Sequence, residues 1–288
     1  MNELANQQGF NELALFAGAG GGILGGKLLG WNTVCAVEWE PYPASVLCAR
    51  QNDGLLPPFP IWDNCETFDG KPWRGIVDVV SGGFPCQDIS SAGRGAGIDG
   101  ERSGMWREMA RIIREVRPRY AFIENSPMLT VRGLDRVLCD LAKMGFDARW
   151  GVLGAADVGA NHQRDRIWIV ARNVSNSSLH RCGFGDVQHK CGQLKQKANI
   201  GNDGSEKLVA YTNRKRLQKF NFARISKESG WLGGQLASIG RAGWWASEPN
   251  VDRVANGVAA RVDRLKAIGN AQVPFCAAEA FRILSADL

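Results

Sequence analysis

The sequence predicts an α/β fold on a doubly wound, largely parallel sheet. Short apolar runs alternate with helical periods through the first 172 residues, which is the signature of strands joined by crossover helices. The first run ends in a glycine cluster, Phe16-Ala17-Gly18-Ala19-Gly20-Gly21-Gly22. A later run ends in Gly82-Gly83-Phe84-Pro85-Cys86-Gln87. Ligands of such sheets gather at the carboxyl ends of strands, so both loops belong to the edge where chemistry is expected.

The elements follow in order. Leu13 to Phe16 is a short apolar strand, and Ile23 to Leu29 begins a helix once the glycines end. Thr33 to Val37 is a second strand closed by Glu38, and Ala44 to Arg50 a helix. Val77 to Ser81 reads as a strand, Trp106 to Val116 as an amphipathic helix, and Tyr120 to Ile123 as another strand. Leu134 to Met144 is helical and Ile167 to Val170 a late strand. The stretch 87–104 is rich in Ser and Gly and reads as a loop. After Arg172 the composition shifts to Asn, Ser, Gly, Lys and Arg with weak periodicity, and order returns at Arg261 to Ile268 and Phe275 to Leu284. We therefore expect a main domain of 1–172 plus 260–288, and a small basic region, 173–259, inserted into it.

Charge supports that division. The 288 residues carry a net +6. Residues 1–172 hold 18 Lys and Arg against 20 Asp and Glu, whereas residues 173–230 hold 11 against 4. A basic segment attached to a near-neutral body suits a polyanionic partner, because phosphate contacts dominate nucleic-acid affinity. No apolar run reaches the roughly 18 residues of a membrane span, and no secretory signal is evident. A cytoplasmic location with all eight cysteines as thiols is the expectation.

The glycine cluster lets backbone approach a ligand, and the following helix offers free N–H groups to a negative group. The spacing Gly20, Gly22, Gly25, with Glu38 about where a ribose-binding acid belongs, also fits a dinucleotide site. Lys27 lacks the spacing of a phosphate-binding P-loop. Cys86, at the carboxyl end of a predicted parallel strand and flanked by Pro and Gly, stands apart from the other seven cysteines as a candidate nucleophile. His180, Cys182, His189 and Cys191 have poor ligand spacing for zinc, and a polar loop is the better reading, with no metal expected. Trp231, Trp244 and Trp245 read as core anchors before DNA contacts.

Gly83-Phe84-Pro85-Cys86-Gln87 resembles the catalytic motif of the cytosine-5 DNA methyltransferases, and four more blocks fall in that family's order. Phe16 to Gly21 is similar to its adenosylmethionine loop, and Glu124-Asn125-Ser126 to its Glu-Asn-Val motif. Gln163-Arg164-Asp165-Arg166 resembles its arginine block, and Gly269-Asn270-Ala271 its late Gly-Asn motif. The resemblance spans 11–172 and, more briefly, 261–277, and the compactness is similar to phage- or prophage-encoded members. It implies a Rossmann-like fold, S-adenosylmethionine as methyl donor and double-stranded DNA as partner, with restriction-modification as the setting and a monomer as the working unit.

It also implies residue roles. Cys86 would attack C6 of a cytosine flipped out of the duplex, so that C5 takes the methyl group. Glu124 would hold the ring at N3, Arg166 its carbonyl side, and Arg164 would neutralise phosphate or order the closing loop. Phe16, Gly18 and Gly20 would surround the cofactor, with Glu38 at the ribose, Trp39 beside the adenine and Asp63 at its amino group. Pro85 and Asn270 would complete the pocket. The sequence departs from the family at Asn161-His162, where Pro-Gln is usual, and it has no recognisable Arg-Leu-Thr-x-x-Glu helix. Two alternatives stay open: a tRNA cytosine methyltransferase, since one branch acts on RNA, and a silent nucleic-acid-binding module of the same fold.

Overall fold

The structure is a computed structural model, and it describes residues 9–85, 104–174, 259–286 and 288. The chain divides into two compact units, one of residues 1–179 and 253–288 and one of 180–252. The second unit, the His/Cys cluster, the three late tryptophans, the 87–103 loop and Cys86 all lie outside the described residues.

Seven strands form one sheet: β1 (Asn11–Leu15), β2 (Asn32–Val37), β3 (Ile61–Trp62), β4 (Val79–Gly83), β5 (Tyr120–Asn125), β6 (Phe146–Leu153) and β7 (Arg166–Asn173). Their spatial order is β3-β2-β1-β4-β5-β7-β6. β1 to β5 pair in parallel, while β7 pairs antiparallel to both β5 and β6. The sheet is thus largely parallel, as expected, with one reversed strand. The order turns around between β1 and β4, which opens a crevice at the carboxyl ends of those two strands.

The described helices are α1 (Gly21–Leu28), α2 (Pro41–Asn52), α3 (Gly104–Val116), the short α4 (Leu129–Arg132), α5 (Leu134–Lys143), α6 (Arg261–Asn270) and α7 (Pro274–Ser285). Alternation along the strands sends one set of side chains to each face. Leu13, Leu15, Val80, Ala121 and Ile123 join Met109, Ile112, Ile113, Val137 and Leu141 of α3 and α5 in the larger core. On the opposite face Phe122 stacks on Trp168 at 5.4 Å, and Phe281 of α7 meets Phe122 and Trp31 edge-on. The two-faced burial explains why β5, YAFIEN, is buried at every position.

Glycines let α7 sit close to the start of the fold. A Cβ on Gly25 would lie 2.7 Å from the Ala277 Cβ, and one on Gly21 would lie 2.3 Å from the Gln272 carbonyl oxygen. The C-terminal segment therefore packs directly over α1, which carries residues 269–272 to the sheet edge where the first glycine cluster turns. The Phe146–Leu153 strand was not expected. Its sequence, FDARWGVL, carries Asp, Arg and Gly, and its four central positions are only half-buried, so it shows neither an apolar run nor an alternating one.

Candidate active site

Three strand ends and one inter-helix turn meet in a cleft lined by Phe16, Gly18, Gly83, Glu124, Asn270 and Gln272, among others. Each has a local reason for its position. The turn after β1 needs left-handed backbone: Phe16 has φ 52, Gly18 φ 55 and Gly20 φ 89. Gly20 is the N-cap of α1, and Gly22 and Ile23 of that helix's first turn line the cleft.

Glu38 closes β2 and is buried. One carboxylate oxygen accepts the Gly18 N–H at 2.6 Å and the other accepts the Glu40 N–H at 2.8 Å. Burial pushes its proton affinity up, and those two backbone N–H groups oppose the shift. Trp39 beside it is 68% exposed. Asp63 directly follows β3, and Val37 is paired with Trp62, so register sets Glu38 and Asp63 next to each other at adjacent strand ends. Lys266 of α6 donates to the Glu40 carboxylate at 2.8 Å, tying α6 to this loop.

At the other side of the cleft stands Glu124. Its residue pairs with Gly83 on one neighbour and with Trp168 on the other, so Arg166 lies diagonally across from it on the same face. The Arg166 Nε meets Glu124 Oε1 at 2.9 Å. Burial raises the Glu124 carboxyl above the usual range, and the nearby Arg166, Arg164 and Gln272 pull the other way. Arg164 Nη2 donates to the carbonyls of Gly269 at 2.6 Å and Ala271 at 2.7 Å. In this state it orders the turn between α6 and α7, and burial beside a second guanidinium lowers its own proton affinity. The Arg164 Nε is buried with no hydrogen-bond partner.

The sequence-predicted residues Phe16, Gly18, Glu124 and Asn270 therefore line one cleft, with Gly20, Glu38, Arg164 and Arg166 bonded to it or adjoining it. Pro85 is exposed just beyond β4, while Phe84 before it is buried against Trp106. Cys86 follows outside the described residues. Cys35, Cys48, Cys65 and Cys276 are free thiols. Burial pushes Cys35 and Cys276 up to about 11, which keeps them protonated and unreactive at neutral pH.

Sequence reasoning missed two residues here. Asn125 donates to the Phe84 carbonyl at 3.1 Å and so fixes the tip of β4; it was visible only as the middle of a motif. Gln272 follows the Gly269-Asn270-Ala271 block and projects into the cleft, and no spacing rule marks it. Among the described residues no group of three or more His, Cys, Asp or Glu side chains could hold a metal ion.

Comparison with known proteins adds the family. The model of the C-5 cytosine-specific DNA methylase matches residues 10–231. A type II methyltransferase, M.NgoMIV of Neisseria gonorrhoeae, is 33% identical over 171 residues, covering 56% of this chain and 51% of that protein. M.DsaV of Dactylococcopsis salina, another type II methyltransferase, is 29% identical over 238 residues, covering 75% and 64%. Among solved structures, the methyltransferase EhMeth of Entamoeba histolytica superposes with a TM-score of 0.48 at 17% identity, covering 58% and 53%. The chain belongs to the C-5 cytosine-specific DNA methylase family. It spans about half the length of the curated relatives it matches.

Proposed function

We propose that this chain is a DNA (cytosine-5-)-methyltransferase that uses S-adenosylmethionine on a cytosine turned out of double-stranded DNA. The observation that carries the reading is the convergence, at one sheet edge, of a buried carboxyl paired to a guanidinium with a glycine turn pinned to a second buried carboxylate. The first is a base-binding pair and the second a nucleoside-binding loop.

The residues present fit the cofactor. A Cβ on Gly18 would meet nothing within 4 Å, so the turn leaves open space beside the Glu38 carboxylate. Phe16, Gly18, Gly20 and Asn270 would hold the methionine and adenosyl parts, Glu38 the ribose hydroxyls, Trp39 and Asp63 the adenine, with Pro85 closing the pocket. Bound there, the cofactor supplies the methyl group. Cys86 as thiolate adds to C6 of the ring, which makes C5 nucleophilic; after C5 is methylated and loses its proton, the thiolate leaves. Glu124 holds N3 with the proton that its burial helps it retain, so negative charge does not build up on the ring during attack. Arg166 orients Glu124 and faces the ring's carbonyl side, while Arg164 keeps the α6–α7 turn in place. The basic stretch 173–230 supplies phosphate contacts. We place the working protein in the cytoplasm as a monomer, in a restriction-modification setting; among the described residues no helix is long and apolar enough to cross a membrane.

Transfer of labelled methyl from S-adenosylmethionine to duplex DNA and to tRNA, with Cys86→Ala in parallel, tests this. Label in DNA that vanishes in the alanine variant supports it. Label in tRNA alone moves the substrate to RNA, and label in neither, or an unaffected alanine variant, defeats it.

A further inference from the structure

Gln272 occupies the point where the three parts of the cleft touch. Its backbone lies against Gly21, where a Cβ would come within 2.3 Å of its carbonyl oxygen. Its amide oxygen would be 2.5 Å from a Cβ on Gly22, and its amide nitrogen 3.2 Å from a Cβ on Gly83. The same Gly83 position would be 2.4 Å from Glu124 Oε2, and the Gln272 side chain is hydrogen-bonded to Glu124. The start of α1 and the end of β4 thus use glycine where Gln272 passes, its backbone over Gly21 and its amide over Gly22 and Gly83. Arg166 meets Glu124 Oε1, and the Gln272 amide is a further side-chain partner of the same carboxyl.

We propose that Gln272 is a positioning residue for the reaction: its amide holds Glu124 against the cleft and sets how readily that carboxyl gives up its proton. The inference rests on the function proposed above. An N–H donated to a carboxylate stabilises the anion and does nothing comparable for the acid. The groups facing Glu124 are Arg166 at the start of β7, Arg164 two residues before it, and Gln272 from the α6–α7 turn; Gly83 of β4 contributes no charge. The two arginines are spread over other partners, Arg166 over the Asp165 carbonyl and Arg164 over those of Gly269 and Ala271. Gln272 is therefore the neutral group that adjusts the carboxyl between burial, which raises its proton affinity, and the guanidiniums, which lower it. Because the same residue lies on Gly21 and Gly22, the adjustment is built into the packing of the cofactor turn.

The test is the pH profile of methyl transfer to duplex DNA by wild type, Gln272→Met and Gln272→Glu. The profile is bell-shaped if a thiolate and a protonated carboxyl are both needed, and the alkaline limb reports the carboxyl. Loss of the amide donor leaves the acid protonated to higher pH. The limb moves up by about one pH unit in the Met variant. It moves further in the Glu variant, where a second carboxylate faces the first. The acid limb stays in place, a pattern that general loosening of the cleft does not produce. Should the Met side chain prevent folding, the isosteric Glu variant carries the test alone. An alkaline limb that coincides with wild type in the folded variants overturns the role of Gln272 while leaving the enzyme reading intact. A wild-type protein that methylates no DNA overturns that reading, and the proposal with it.

Discussion

Glu12 offers a sharp test of the structure away from the chemistry. It sits on β1 with its side chain fully buried, and among the described residues no cation is one of its partners. Ser81 donates to one oxygen at 2.6 Å and Thr33 to the other at 2.8 Å. Those two hydroxyls favour the anion, but burial outweighs them and raises the carboxyl from 4.5 to about 7. The consequence for stability has a definite sign. Below about pH 4.5 the folded and unfolded chains both hold the proton, and Glu12 contributes no penalty. Between there and about pH 7 the unfolded carboxyl ionises while the folded one does not, so stability falls as pH rises. Above about pH 7 the loss is constant. A shift of that size corresponds to about 3 kcal/mol. Glu12→Gln keeps the shape and removes the titration. Urea unfolding of both proteins at several pH values between about 4.5 and 8 should show the difference between them moving in favour of Gln by about 3 kcal/mol. Parallel curves would refute the buried, cation-free carboxyl on which the reasoning depends.

Gly83→Ala should disturb the site more than the fold, since its Cβ would stand 2.4 Å from Glu124 Oε2. We expect methyl transfer to fall at least about tenfold, read as kcat, with cofactor affinity less affected. Glu124→Gln, which keeps the volume but cannot hold the proton for N3, should lower kcat by about 10²- to 10⁴-fold while the melting temperature changes little, because burial already disfavours its charge. Arg164→Ala frees the carbonyls of Gly269 and Ala271; calorimetry should show cofactor binding weakened by roughly tenfold, with the alkaline limb of the pH profile moved upward as a positive neighbour of Glu124 is lost.

What was legible in the sequence follows from how far along the chain each signal reaches. β1, β2, β4, β5 and β7 are apolar runs of a few residues closed by glycines or charges, and the helices between them announce themselves by period; both signals are local. β3 is only Ile61–Trp62 within a Pro-rich stretch, and β6 is charged and half-buried, so neither carries a pattern even though pairing with β2 and β7 makes both regular. The site divides the same way. Phe16, Gly18, Gly20, Glu38, Glu124, Arg164, Arg166 and Asn270 sit in blocks whose order could be matched. Gln272 and Glu12 matter through partners far away in sequence, Glu124 and Ser81, and a residue type alone does not show that. The glycines are the clearest case. Gly20, Gly22 and Gly25 fit a dinucleotide spacing, yet only Gly20, at φ 89, needs glycine for its backbone. Gly22 gives room to Gln272, and Gly25 gives room to Ala277 of α7. A pattern that reads as one phosphate-binding device is therefore two things at once. It is a turn at the cleft and a seat for α7, and the second use is what brings Gln272 and Asn270 into that cleft.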